Sequence, residues 1–286
     1  MQLIYLAIIG ACIGSFINVV ALRLPRKESL IWPGSHCRSC GSDVRWYDNV
    51  PVVAWLQLGG RCRDCKASIP LRYPAVEVLS AGLWVSAAMA APTSLGLVPS
   101  LFKLWAGVVL VSLLLPLVLI DLDHMWLPEP LCRLGLLLGI TATVAAAVLN
   151  GWEEGSNLLL NHLIAAAAAL LALEMFATFW GIVIRAINLI CRRQIKPLKA
   201  IGSGDAKLAA MAGAWLGLKG VGMALAIANV SGALFGLIAF ASFRLKWRQP
   251  FPFGPFIAIG IWGVWLCGPD WWWDQWQNLI QIQMGL

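Results

Sequence analysis

Four cysteines carry the most recognisable chemistry in the chain. Cys37-Arg38-Ser39-Cys40 and Cys62-Arg63-Asp64-Cys65 are separated by 21 residues, the spacing of two tight knuckles that can offer four thiolates to one tetrahedral metal. The metal expected there is zinc. Four protein ligands leave no open coordination position, so the site is expected to be structural, lending folding energy to a loop with little core of its own. The competing reading is two disulfides, which a reducing compartment would disfavour. The remaining cysteines, Cys12, Cys132, Cys191 and Cys267, are scattered in or near apolar stretches and read as small buried hydrophobes.

Carboxylates form the second chemical group. Glu77, Asp121, Asp123, Glu129, Glu174 and Asp205 all lie in or beside long apolar stretches, where ionisable groups are costly and therefore suggest function. Two contexts stand out. Asp121-Leu122-Asp123-His124 ends an apolar run and is followed by Pro128, which limits helix continuation. Gly202-Ser203-Gly204-Asp205-Ala206-Lys207 opens another apolar run, with glycines that let a second backbone approach closely. Two carboxylates held together share a proton, so that one can activate water while the other donates to a scissile carbonyl. Taken singly, each reads equally as a helix cap or a snorkelling end group, and composition alone does not make them a pair.

The elements that position these groups are membrane spans. The chain is 60% hydrophobic and 12% charged, against roughly 45–50% and 25% in soluble domains. This excludes a soluble enzyme and a secreted disulfide scaffold. Spanning helices need about 20 apolar residues, and eight are expected, at 2–22, 74–91, 100–120, 130–149, 158–188, 206–218, 220–242 and 254–268. The fold class is thus an all-α polytopic membrane protein of about eight transmembrane helices, with one loop large enough to fold separately. The expected divisions are a first helix at 1–23, a cysteine loop at 24–73, a transmembrane core at 74–268 and a Trp-rich interfacial tail at 269–286.

The net charge of +7 reads as topology rather than as a nucleic-acid surface. Nine basic residues lie between Arg23 and Arg72, five between Cys191 and Lys207 (Arg192, Arg193, Lys196, Lys199, Lys207), and Arg244, Lys246 and Arg248 follow the seventh span, while 151–154 and the tail after Cys267 hold none. The positive-inside rule then places the cysteine loop and both acidic contexts in the cytoplasm and both termini outside. The first span is expected to be retained, since no basic residue precedes it. The cytoplasmic placement favours metal over disulfides.

With these residues in view, the chain resembles the type IV prepilin peptidases, membrane aspartic proteases whose bifunctional bacterial form also methylates the new amino terminus. Gly14-Ser15-Phe16-Ile17-Asn18-Val19-Val20 with Arg23-Leu24-Pro25, the cysteine loop with Trp46-Tyr47-Asp48-Asn49-Val50-Pro51 and Arg72-Tyr73-Pro74-Ala75-Val76-Glu77, Asp121 to Pro128, and Gly202 to Leu208 are similar to the family's motifs in order. Departures are small: Arg38 stands where proline is common, and Ala200-Ile201 where Gly-Met is common. The resemblance implies a catalytic pair of Asp121 and Asp205. It selects Asp121 over Asp123 because the family's acid lies seven residues before the proline. It also implies zinc on Cys37, Cys40, Cys62 and Cys65, S-adenosylmethionine as methyl donor, and prepilins or secretion-system pseudopilins as substrates at the inner membrane, cut after a leader glycine.

Supporting roles in substrate binding or methyl transfer are implied for Gly14, Asn18, Glu77, Gly202, Gly204 and Lys207. Each has a plainer reading: helix packing for Gly14 and Asn18, a helix-terminal charge for Glu77, and snorkelling for Lys207. A peptidase without methyltransferase activity is the alternative, and a non-catalytic zinc-bearing adaptor or a transporter is the rival class. Transporters tend to keep their acids near the midplane of repeated halves, whereas these acids lie at span ends and no internal repeat is visible.

Overall fold

The structure, a computed structural model, describes residues 1–91, 96–149, 151–191, 202–242 and 251–284. Arg192, Arg193, Lys196, Lys199, Ala200, Ile201, Arg244, Lys246 and Arg248, used above for topology and motif comparison, lie outside the described residues. Among the described residues the fold is helical, with no named strand and two isolated bridges. The helices are α1 (Gln2–Arg23), α2 (Val53–Gln57), α3 (Arg72–Met89), α4 (Leu97–His124), α5 (Glu129–Leu149), α6 (Trp152–Cys191), α7 (Ser203–Ala241), α8 (Gly254–Cys267) and α9 (Pro269–Met284). The chain divides into two compact units, Met1–Ile120 and Asp121–Leu286.

In the first unit, α1 packs on α3 through small residues one turn apart. A Cβ placed on Gly14 would lie 2.8 Å from Glu77 Cα, and one on Gly10 would lie 2.9 Å from Trp84 Cγ. Glycine therefore sets how closely the two backbones approach, as in membrane helix pairs generally. Polar groups lock the seam: Ser80 Oγ donates to the Gly10 carbonyl at 2.7 Å, and Asn18 Nδ2 donates to the carbonyls of Gly14 and Tyr73 at 3.3 and 3.2 Å. Between these helices the loop folds around the cysteine pairs and the short α2. Trp55 Nε1 donates to the Ile69 carbonyl at 3.0 Å, and Arg63 grips Asp48 through two bonds of 2.7 and 2.6 Å while its guanidinium lies 5.4 Å from the Tyr47 ring centre.

In the second unit, α7 is the central element and packs against α5, α6 and α8. Its first half is apolar on every side, and Leu208, Ala209, Met211, Ala212 and Ala214 are all buried, as expected for a helix enclosed by others. The spans expected separately at 206–218 and 220–242 are the two helical arms of Ser203–Ala241, which meet at Gly217, a non-helical residue with φ 69° and ψ −178°. The chain bends without needing a loop because neighbouring side chains satisfy the backbone groups that the kink frees. Leu218 N–H donates to Asn161 Oδ1 at 3.3 Å, and the Ala214 carbonyl accepts from His162 Nδ1 at 2.9 Å and from Thr143 Oγ1 at 3.0 Å.

Among the described residues five helices are long and apolar enough to cross a membrane: Gln2–Arg26, Leu97–His124, Glu129–Leu149, Gly155–Ile190 and Ser203–Ala241. Gly254–Cys267 is apolar but shorter. The Trp-rich tail is itself helical as α9, held by Trp272 Nε1 on the Gly263 carbonyl at 3.0 Å and by Lys219 on Asp270 at 2.5 Å. Trp271, Trp273 and Trp276 are exposed.

Candidate active site and metal centre

Asp121 occupies the last turn of α4 and is 5% exposed, whereas Asp123, two residues on, points to the exposed side. The helix stops at His124. Met125 takes a positive φ of 49°, and Leu127 and Pro128 turn the chain into α5 as buried residues. Asp121 Oδ2 accepts the backbone N–H of Gly254 at 2.9 Å. Gly254 opens α8, where first-turn N–H groups have no partner inside the helix and the macrodipole presents its positive end. The carboxylate therefore sits where backbone charge favours it. A Cβ on Gly254 would lie 2.7 Å from Asp121 Oδ2, so only glycine permits this approach.

Asp205 is the third residue of α7, and its Oδ2 accepts the Gly202 N–H at 3.0 Å, capping the helix it belongs to. Both acids belong to the second unit. The segments carrying them are clamped together. A Cβ on Gly204 would lie 2.9 Å from Leu127 Cβ, and Lys207 Nζ pairs with Glu129 Oε1 at 3.1 Å, which also accepts from Arg133 at 2.7 Å. Gly204 thus admits the chain's own Leu127, and Lys207 engages Glu129 as an ion pair across α5 and α7. Glu174 lies exposed on α6.

The structure gathers Asp121, Asp205, Gly202, Gly204 and Lys207 in the second unit. Gly14, Asn18 and Glu77 belong to the α1–α3 seam of the first. Gly254 was missed from sequence. Its readable signal was Gly254-Pro255 at a helix start, where proline is preorganised for the first turn.

The four cysteine sulfurs of the loop all lie within 4.8 Å of one another, and Cys37 Sγ and Cys65 Sγ are 3.7 Å apart. A tetrahedron with bonds of about 2.3 Å places sulfurs about 3.8 Å apart. The two knuckles are built alike. Cys37 N–H bonds to the Ser42 carbonyl and Cys62 N–H to the Ala67 carbonyl, each at 2.8 Å, and the residue after each second cysteine, Gly41 or Lys66, takes a positive φ of 75° or 60°. Without a metal the thiols titrate apart: hydrogen bonds from the side chain and backbone of Ser42 bring Cys40 down to about 6, whereas burial and the neighbouring thiols push Cys65 up to about 12. The donor set fits a metal held by four thiolates, and no disulfide joins the cysteines of the loop. His36 is not part of the cluster; its Nδ1 lies 3.1 Å from the Gly34 carbonyl.

Comparison with known proteins gives one family. "Bacterial Peptidase A24 N-terminal domain" matches residues 8–91 and "Type IV leader peptidase family" matches residues 108–237. A Myxococcus xanthus protein named "Prepilin leader peptidase/N-methyltransferase" is 35% identical, covering 82% of this chain and 62% of its own length. A Burkholderia pseudomallei protein of the same name is 32% identical, covering 91% and 84%. An Escherichia coli "Type 4 prepilin-like proteins leader peptide-processing enzyme" is 32% identical, covering 88% of each. No solved structure matches the chain significantly. With these two matches covering 8–91 and 108–237, and relatives 32% identical over 84% or more of their own length, the chain belongs to the type IV leader peptidase family.

Proposed function

We propose that this protein is a membrane aspartic endopeptidase that removes the short basic leader of type IV prepilins or type II secretion pseudopilins after a leader glycine, then methylates the exposed amine from S-adenosylmethionine. The observation that supports the reading is that Asp121 and Asp205 each accept a backbone N–H and lie on segments clamped together through Leu127–Gly204 and Glu129–Lys207. The names of the relatives supply the substrate class.

In cleavage, the ionised member of the pair takes a proton from water as the water oxygen attacks the scissile carbonyl carbon. The protonated member gives its proton to the carbonyl oxygen. Collapse of the tetrahedral species breaks the C–N bond, and a proton passes to the departing amine. The Gly254 and Gly202 N–H groups keep both carboxylates in place through this exchange, which is how a preorganised site limits reorganisation during reaction. Leader glycine suits the chemistry, since an extended backbone without a side chain comes close to both acids.

Zinc fits the thiolates of Cys37, Cys40, Cys62 and Cys65 and would tie the two knuckles together. S-adenosylmethionine supplies an electrophilic methyl group when bound. Eight crossings follow if the arms of α7 on either side of Gly217 serve as the sixth and seventh. The placement of basic residues supports outside termini and a cytoplasmic catalytic pair.

The test is incubation of the purified full chain with a prepilin-like substrate and labelled S-adenosylmethionine. Leader release with label on the mature amine is expected. Release without label favours the peptidase alone, and absence of release from folded protein on an established substrate contradicts the reading.

A further inference from the structure

The first unit holds an open cleft of about 790 Å3 between the α1–α3 seam and the cysteine loop, within the roughly 300–1,000 Å3 typical of small-molecule sites. Features of its wall have no part in leader cleavage. Glu77, on α3, is only 7% exposed, and its carboxylate accepts the Val52 N–H at 2.7 Å. That partner is neutral, and a buried carboxylate is costly unless a cation accompanies it. The other acids of the wall differ: Asp48 is gripped by Arg63, Asp64 lies 3.6 Å from Arg45, and Glu28 and Asp43 are exposed to water.

Val52 is the second feature. Its φ of 63° and ψ of −52° are unusual for a β-branched residue, and Val53 N–H on the Pro51 carbonyl at 2.6 Å closes a γ-turn of the rare, strained kind. That turn presents the Val52 N–H to Glu77. Strained backbone of this sort persists where surrounding structure enforces it, commonly at ligand sites. The same cleft is lined by Trp55 and Tyr73, and by Arg23, whose guanidinium is fixed on the carbonyls of Ser29 and Gly34, each at 3.0 Å.

We propose that this cleft is the S-adenosylmethionine site, with Glu77 setting its preference for the positively charged sulfonium. The proposal rests on the methyl-transfer reading given above. Glu77 supplies the anion that a sulfonium requires, Trp55 and Tyr73 the flat apolar surface that adenine requires, and Arg23 a cation for the amino-acid carboxylate. In transfer, the lone pair of the neutral substrate amine attacks the methyl carbon. The C–N bond forms as the C–S bond breaks, its electron pair goes to sulfur to give S-adenosylhomocysteine, and the new ammonium loses its proton to water.

The test is calorimetric titration of the full chain in detergent with S-adenosylmethionine and with S-adenosylhomocysteine, which lacks the sulfonium charge. Glu77→Gln keeps a carbonyl oxygen for the Val52 N–H and removes the charge. It is expected to weaken S-adenosylmethionine about tenfold while changing S-adenosylhomocysteine less than about twofold. Equal weakening of both, or of neither, overturns the role of Glu77. Photocrosslinking of labelled S-adenosylmethionine to the wild-type chain provides a second readout, with label expected in peptides from residues 1–91. Label confined to residues 121–284 in a protein that still transfers methyl overturns this site alone. A wild-type chain that cleaves leader yet neither binds the donor nor transfers methyl overturns the methyl-transfer reading and this site with it.

Discussion

The backbone N–H of Gly254 reaches Asp121 Oδ2 at 2.9 Å across 133 residues of sequence. The first turn of α8 is thereby a holder for the carboxylate at the end of α4. Because a Cβ at Gly254 would lie 2.7 Å from that oxygen, Gly254→Ala pushes the carboxylate aside. Leader cleavage is expected to fall about 10²-fold, the scale of an ångström-sized misplacement, with the thermal unfolding of the purified protein little changed. Near wild-type cleavage by Gly254→Ala contradicts the positioning role.

The cysteine cluster predicts about one zinc per purified chain by elemental analysis. Chelation, or Cys62→Ser, is expected to remove the metal and to make the 24–73 loop the first region cut by protease, since four-thiolate sites supply folding energy. Metal content unaffected by Cys62→Ser contradicts the assignment.

The Asp48–Arg63 pair predicts a pH dependence. The Arg63 guanidinium holds the Asp48 carboxyl below its usual range, so the folded form binds this proton less readily than the unfolded chain. The resulting stability is fully present above the unfolded value of about 3.9 and is lost as pH falls through the lower folded value. Wild type should therefore lose more thermal stability between pH 5 and pH 3 than Asp48→Asn, measured in chelator so that metal release does not contribute. Identical losses in the two proteins contradict this coupling.

Gly217 combines φ 69° with ψ −178°, a region open essentially to glycine alone, so Gly217→Ala should cost about 1–3 kcal/mol. A drop of several degrees in the unfolding temperature in detergent is expected. An unchanged transition would mean that the kink is not enforced at this residue.

Much of this architecture is legible in local patterns. The cysteine pairs announce their site because both knuckles are written within four residues each, and the Gly14 and Asn18 spacing marks a close helix seam. The choice of Asp121 over Asp123 came from resemblance; the physical difference, burial against α8 versus exposure, depends on tertiary structure. Gly254 and the Glu129–Lys207 pair were hidden for the same reason, since each partner lies far away in sequence. The break at Gly217 is legible as the boundary between the spans 206–218 and 220–242, while Thr143, Asn161 and His162, which satisfy the backbone there, come from other helices and are not. Val52 gave no signal, as nothing in its neighbours' identities shows a positive φ.

The most direct test of the central claim is cleavage of a prepilin-like substrate by wild type, Asp121→Asn, Asp205→Asn and Asp123→Asn, purified in parallel in detergent. Folding is checked in each variant by its unfolding transition. The account predicts that cleavage is abolished in the first two variants and retained in Asp123→Asn. Substantial cleavage by folded Asp121→Asn or Asp205→Asn would contradict it.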